Sequence, residues 1–206
     1  MPERRLIPYD PKRLPPEKAD LQIDGKDSDF SEVTAKGGFA GVKRMMVERD
    51  GKILFDTFKI EPSPGVFVLP VRINPDNKAE FLLVNEWKDK LGKRITQIPQ
   101  GRTNKDEKVS DAARREVLEE TGHEPTNLVF VGRQIFDSAY MSLEQPFFLA
   151  TVPCEQERQE LQLDMGEDIE QLPWMRPEQI RRMRISDGKT TIGIALAERV
   201  INPRLL

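Results

Sequence analysis

The stretch GRTNKDEKVSDAARREVLEETGH, Gly101 to His123, constrains the fold more than any other part of this chain. It reads as one helix from about Ser110 to Thr121, with Ser110 able to cap its start and Gly122 able to end it. At the ~100° per residue of an α-helix, Val109, Ala113 and Val117 form an apolar stripe that must face a core. Glu120 projects into the middle of that stripe and Glu116 lies at its edge, whereas an ordinary solvated face would put acids on the opposite side. The two are also an (i, i+4) like-charge pair, which weakens an isolated helix by roughly 0.2–0.5 kcal/mol and by more when partly buried. A cation between them would remove that penalty. Magnesium suits such a place because it takes hard oxygen ligands, keeps several waters and bridges to phosphates.

The flanking sequence supplies a sheet for this helix to pack on. Phe39 to Val47 and Ile53 to Ile60 are β-capable runs on either side of Asp50-Gly51, a strong hairpin signal. Pro62 to Gly65 breaks the chain, and VFVLPVRI (Val66 to Ile73) then pairs with FLLV from Phe81 across the turn-rich Asn74 to Lys78. Ile95 to Ile98, LVFVG from Leu128 and PFFLATV from Pro146 are further short strands, with the polar loop Asp137 to Gln145 before the last. Pro177 opens a short helix to Met183, and Ser186 or Asp187 opens a final one through Arg199. Strands on both sides of one central helix, with helices gathered at the end, predict an α+β sandwich with a mixed sheet.

At 206 residues the chain is long enough for one good core plus an appendage. Residues 1–30 are rich in proline and charge without apolar periodicity, which predicts an extended arm. No apolar run approaches the ~20 residues of a membrane span, and the start has no apolar stretch fit for a signal peptide. A cytoplasmic enzyme without membrane association is expected. The sole cysteine, Cys154, and sole histidine, His123, exclude an intrachain disulfide and a thiolate or imidazole metal cage, so any catalytic metal is held by oxygen. Cys154 follows an apolar run, as a strand-end packing residue does. A net charge of -3 with interleaved acids and bases gives no basic face for nucleic acid.

The glycines and acids of this stretch resemble the Nudix box, Gx5Ex7REUxEExGU with U apolar. Gly101, Glu107, Arg115, Glu116, Val117, Glu119, Glu120 and Gly122 all fall on it. A chance match at a given start has odds on the order of one in 10^8, which sets aside a merely charged surface helix. His123 departs from the pattern, standing where the family usually has an apolar residue. The resemblance implies a Nudix-type α/β/α sandwich over 63–206, with residues 1–62 as an N-terminal arm and β-hairpin used in dimerisation. It further implies that Glu116 and Glu120 bind Mg2+ (or Mn2+) directly, that the Gln100 carbonyl supplies another oxygen, and that Glu119 binds or orients. Arg115, four residues before Glu119, orients that carboxylate.

The chain around the box resembles the ADP-ribose pyrophosphatase and nucleoside-diphosphate-sugar branch of the family over roughly residues 38–200. The marks are VFVLPVRI, FLLVNEW, QIPQGR and DGKTTIGIALAE. Gln97 stands where that branch usually has an acid, which removes one anionic candidate ligand. The polar loop Asp137 to Gln145 takes the place of one that in this branch contributes a carboxylate acting on the attacking water, and Glu144 is its best match. Trp87 and Trp174 are open to stacking on a base or to packing. The implied activity is metal-dependent hydrolysis of the diphosphate of ADP-ribose or a related nucleotide sugar, by a homodimer. GDP-sugars and dinucleotide polyphosphates are the alternative substrates, and a nucleotide sensor without catalysis is the alternative class. The isopentenyl-diphosphate isomerases of the same fold need several Cys and His ligands that this chain lacks.

Overall fold

Asp50 and Gly51 both adopt positive φ, 53° and 76°, the backbone that a tight two-residue hairpin turn demands. The structure is a computed structural model, which describes residues 5–8, 10–13, 40–141 and 143–205. Phe39, where the sequence predicts the first strand to begin, and the rest of the arm lie outside the described residues. The chain divides into two compact units, Met1–Ser63 with Ile135–Leu143, and Pro64–Gln134 with Glu144–Leu206.

In the first unit the Asp50-Gly51 turn joins β2 (Ala40–Arg49) to β3 (Lys52–Pro62), and β1 (Arg5–Pro8) pairs antiparallel on the free side of β2. Arg44 and Asp56 form an ion pair of 2.7 Å between β2 and β3. Within the expected extended arm, Arg5–Pro8 is a strand that the sequence does not single out. Four residues carry too little periodicity to be recognised, and their extended form comes from the ladder with Met45 to Glu48.

The second unit is built on β4 (Gly65–Ile73), β5 (Ala79–Phe81), β8 (Gln100–Arg102), β9 (Asn127–Gln134) and β10 (Gln145–Thr151). They form one five-stranded sheet in the order β5-β4-β10-β9, with β8 also on β4. β10 runs parallel to β4 and the other pairs are antiparallel, so the sheet is mixed. A separate antiparallel sheet orders β11 (Ile169–Gln171), β6 (Val84–Lys88) and β7 (Lys93–Gln97). The run FLLV, expected as one strand, is divided between the two sheets: Phe81 ends β5 and Val84 begins β6. All four side chains are fully buried, so no alternation marks where one ladder stops.

α1 (Val109–Thr121) lays Ala112, Ala113 and Val117 on Val66 and Val68 of β4 and Ala150 of β10. Two predicted details change. Lys108, not Ser110, is the N-cap, and it makes no side-chain cap bond. The start is shaped instead by the preceding turn, where the Asn104 N–H donates to the Glu107 carboxylate at 2.7 Å. Val109 is 36% exposed and does not belong to the buried stripe, which runs through Ala112, Ala113, Glu116, Val117, Glu120 and Thr121. Gly122 ends the helix with φ 69°, and a Cβ there would lie 2.2 Å from the Gln159 carbonyl oxygen.

The other sheet face is covered by α3 (Gly188–Val200), whose Gly193 lies against Ile98 and Phe147, while the short α2 (Pro177–Arg181) precedes it. Val66 to Val71 of β4 are therefore buried on both faces, the signature of a sheet sandwiched between helices. The fold is the α+β sandwich with a mixed sheet.

Candidate active site

β8 sits where the backbone can reach α1. A Cβ on Gly101 would fall 2.1 Å from the Glu116 carboxyl group, so only glycine lets this strand lie on that side chain. On the next turn of the helix the Gln100 N–H bonds the Glu120 carboxylate. Glu116 is 7% exposed and Glu120 2% exposed, and Oε2 of Glu120 has no hydrogen-bond partner. Burial pushes the Glu116 carboxyl up to about 7 against the pull of Arg115, with Glu119 and Glu167 adding to the rise. Burial also holds Glu120 well above the usual carboxylate range, followed by the charges of Glu116 and Glu86. Two buried acids, one with an orphaned oxygen, are stable as anions only beside a cation.

Arg115 holds the outer edge. Its Nε donates to Glu107 Oε1 at 2.9 Å and Nη2 to Glu107 Oε2 at 3.1 Å and to the Arg102 carbonyl at 2.8 Å. Nη1 donates to Glu116 at 2.7 Å and Glu119 at 2.8 Å. All five N–H donors of a guanidinium are thereby committed inside the protein, leaving none for a substrate. Glu107 anchors the arginine, and that bond holds the Glu107 carboxyl below its usual value. Among the described residues no three acidic, histidine or cysteine side chains already stand around one point as a cation cage. With Arg115 on Glu116 and Glu119, these carboxylates would have to turn inward to share an ion. The donor set is all oxygen, and the unpartnered Glu120 oxygen points to where such an ion would fit.

Glu116, Glu119, Glu120, Arg115 and Gln100 are thus brought together. Glu144 is exposed just before β10, and it is not among the charges that act most on Glu116 and Glu120. Two acids that sequence reasoning did not single out do act on them, Glu86 of β6 and Glu167. Glu167 lies one residue before the end of the 152–168 connection, which is tied to α1 by bonds from the Gln159 N–H to the Gly122 carbonyl (2.8 Å) and the Gln162 N–H to the Glu119 carbonyl (3.0 Å). In sequence Glu167 is one acid in a polar loop, with no local signal to separate it from its neighbours. Lys189, in the first turn of α3, is half-buried with its ammonium 5.3 Å from the Phe67 ring, and burial lowers its pKa. His123 is 6% exposed and packs 5.6 Å from the Trp174 ring, filling the place of an apolar side chain. Trp174 also lies under the Arg72 guanidinium at 4.7 Å, which commits it to packing, while Trp87 is 43% exposed.

The NUDIX domain family model matches residues 62–192, from the end of β3 into α3. The chain belongs to the Nudix family and is a Nudix hydrolase. Its fold is similar to a crystal structure described as that of an ADP compounds hydrolase, with a TM-score of 0.63 and 18% identity over 80% of this chain and 88% of that one. No curated protein matches the chain. Among the described residues no helix is long and apolar enough to cross a membrane.

Proposed function

We propose that this Nudix hydrolase cleaves the diphosphate of a nucleoside diphosphate linked to a second moiety, ADP-ribose or a related nucleotide sugar, releasing a nucleoside monophosphate and a sugar phosphate. The observation that carries the metal-dependent part is the buried Glu120 oxygen without a partner, one helical turn from Glu116, which is also buried. The substrate class rests on the sequence marks flanking the box and on the ADP compounds described for the similar structure.

Glu116, Glu120 and the Gln100 carbonyl would hold a divalent cation, Mg2+ or Mn2+, with Glu119 binding or orienting. Such an ion supplies Lewis acidity toward the diphosphate and lowers the pKa of a water. The protein's own part is to place and neutralise. The Gln100 N–H steadies Glu120, and Gly101 leaves room for the Glu116 carboxyl. Arg115 holds Glu119 and Glu116 from outside without touching substrate. Glu144 is the proposed acceptor of the proton from the attacking water, reaching it as its segment closes over substrate.

The test is a panel of nucleotide sugars, dinucleotide polyphosphates and nucleoside triphosphates, assayed with Mg2+ by phosphorus NMR. ADP-ribose is expected to give AMP and ribose 5-phosphate, and EDTA to abolish turnover. Undiminished turnover in fully chelated protein overturns the metal-dependent reading. A preference for GDP-sugars or dinucleotides overturns the substrate assignment alone.

A further inference from the structure

Gln97 is 1% exposed and ends β7, three residues before the Gln100 backbone that bonds Glu120. An amide so buried must be satisfied by the protein. Its Nε2 donates to Glu86 Oε2. In the antiparallel pair of β6 and β7, Glu86 lies opposite Ile95 and Val84 opposite Gln97, so Glu86, Ile95 and Gln97 share one face. Glu86 also takes an ion pair of 2.5 Å from Lys88, again on Oε2, and among the described residues no hydrogen bond falls on Oε1. Its charge acts on Glu120, whose own Oε2 is buried and orphaned.

A carboxylate whose charge bears on the buried Glu120 is costly unless something positive lies between them. We propose that Glu86 is a further carboxylate of the cation site, aimed into it by Gln97; this rests on the reading that Glu116 and Glu120 bind a divalent cation. Gln97 is then a positioning residue, and its neutrality lets it hold Glu86 without adding to the repulsion. The described side chains do not yet form a cage, so cation binding draws Glu86 and Glu120 together and loosens Glu86 from Lys88. The competing explanation, in which Glu86 serves only its ion pair with Lys88, predicts native Mn2+ affinity in the Glu86 and Lys88 variants alike.

The experiment is titration of the full chain with Mn2+ alone, without substrate, followed by calorimetry and by the electron paramagnetic resonance signal of free Mn2+. Glu86→Gln is expected to weaken Mn2+ binding about 10–100-fold, the usual range for losing a group that supports a metal site. Lys88→Met is expected to leave binding equal or tighter. The exchanged pair E86Q/Q97E returns a carboxylate to the same face and is expected to recover most of the affinity. Should Glu86→Gln lose its circular dichroism, Glu86→Asp, which withdraws the charge by one methylene, takes its place with the same expectation. Native Mn2+ affinity in the Glu86 variant, alongside lost affinity in Glu120→Gln, overturns the inference and leaves the site reading standing. Native affinity in both Glu116→Gln and Glu120→Gln overturns the site reading itself.

Discussion

Glu144 and Glu167 are both exposed acids near the ends of connections, and they differ in what they act on. Glu167 raises the carboxyls of Glu116 and Glu120, whereas Glu144 is not among the charges that act most on them. If Glu144 takes the proton from water, Glu144→Gln lowers kcat by roughly 10²–10⁴-fold with little change in KM or in Mg2+ affinity. A Glu144 variant within twofold of wild type, with the loss found in Glu167→Gln instead, transfers the role to Glu167. The titration of the buried acids is a second residue-scale expectation. Glu116, at about 7, and Glu120 hold protons in the folded chain that the unfolded chain releases near 4.5. Their contribution to stability is therefore complete below 4.5 and is lost as pH rises above it, the Glu116 part by about 7. His123, lowered from 6.5 chiefly by burial, has the opposite sign, but only below that value. Lys189, lowered by burial, shares the sign of His123, so the scan is repeated in Lys189→Met. Chelated protein is expected to lose Tm as pH rises from about 4.5 through 7 by scanning calorimetry, less the opposing His123 part below 6.5, and saturating Mg2+ to flatten that slope by taking the place of the protons. A flat Tm in EDTA shows that these acids carry charge at no cost.

Asp187 and Thr190 decide how α3 meets the rest of its unit. The Asp187 carboxylate accepts from the Thr190 N–H and hydroxyl, both at 2.8 Å, and the same hydroxyl oxygen accepts the Ile98 N–H at 2.9 Å. Asp187→Ala is expected to cost about 1–2 kcal/mol, an N-cap with one added bond, read as a lowered midpoint in urea with unchanged slope. No loss of midpoint shows that the helix start is held by packing alone. The sequence narrows this cap to Ser186 or Asp187, because a cap and its partner are three residues apart, and it marks the Gly122 stop. The Asp50-Gly51 turn and the acid-bearing face of α1 are local in the same way. What the sequence did not show lies in long-range pairs. β11 is three residues whose form depends on β6, β1 depends on β2, and the division of FLLV depends on which sheet each residue joins. Glu86 and Glu167 belong with Glu120 only after strands and a long connection are folded around α1. Their neighbours in sequence are as charged as they are.

For the molecule as a whole, the first unit stands out by how little of it is buried among its described side chains. Among its described side chains only Met46 is buried, and Phe55 is 45% exposed on the β2–β3 hairpin. A three-stranded sheet needs an apolar face covered to be stable, and one methionine is far short of a core. We propose that a second copy covers it and that the chain is a homodimer, the use that the family resemblance implies for residues 1–62. Light scattering at micromolar concentration is expected to return twice the chain mass. Phe55→Asp puts a charge on the exposed ring's position without touching the Nudix unit's core, so it is expected to shift the mass toward monomer. If the pocket is completed across the dimer, KM for the nucleotide rises in that variant while Mn2+ affinity, set by Glu116 and Glu120, stays native. A wild-type monomer at micromolar concentration removes the dimer. A Phe55→Asp monomer with native KM keeps the dimer but separates it from catalysis, because substrate would then be bound by residues of a single chain.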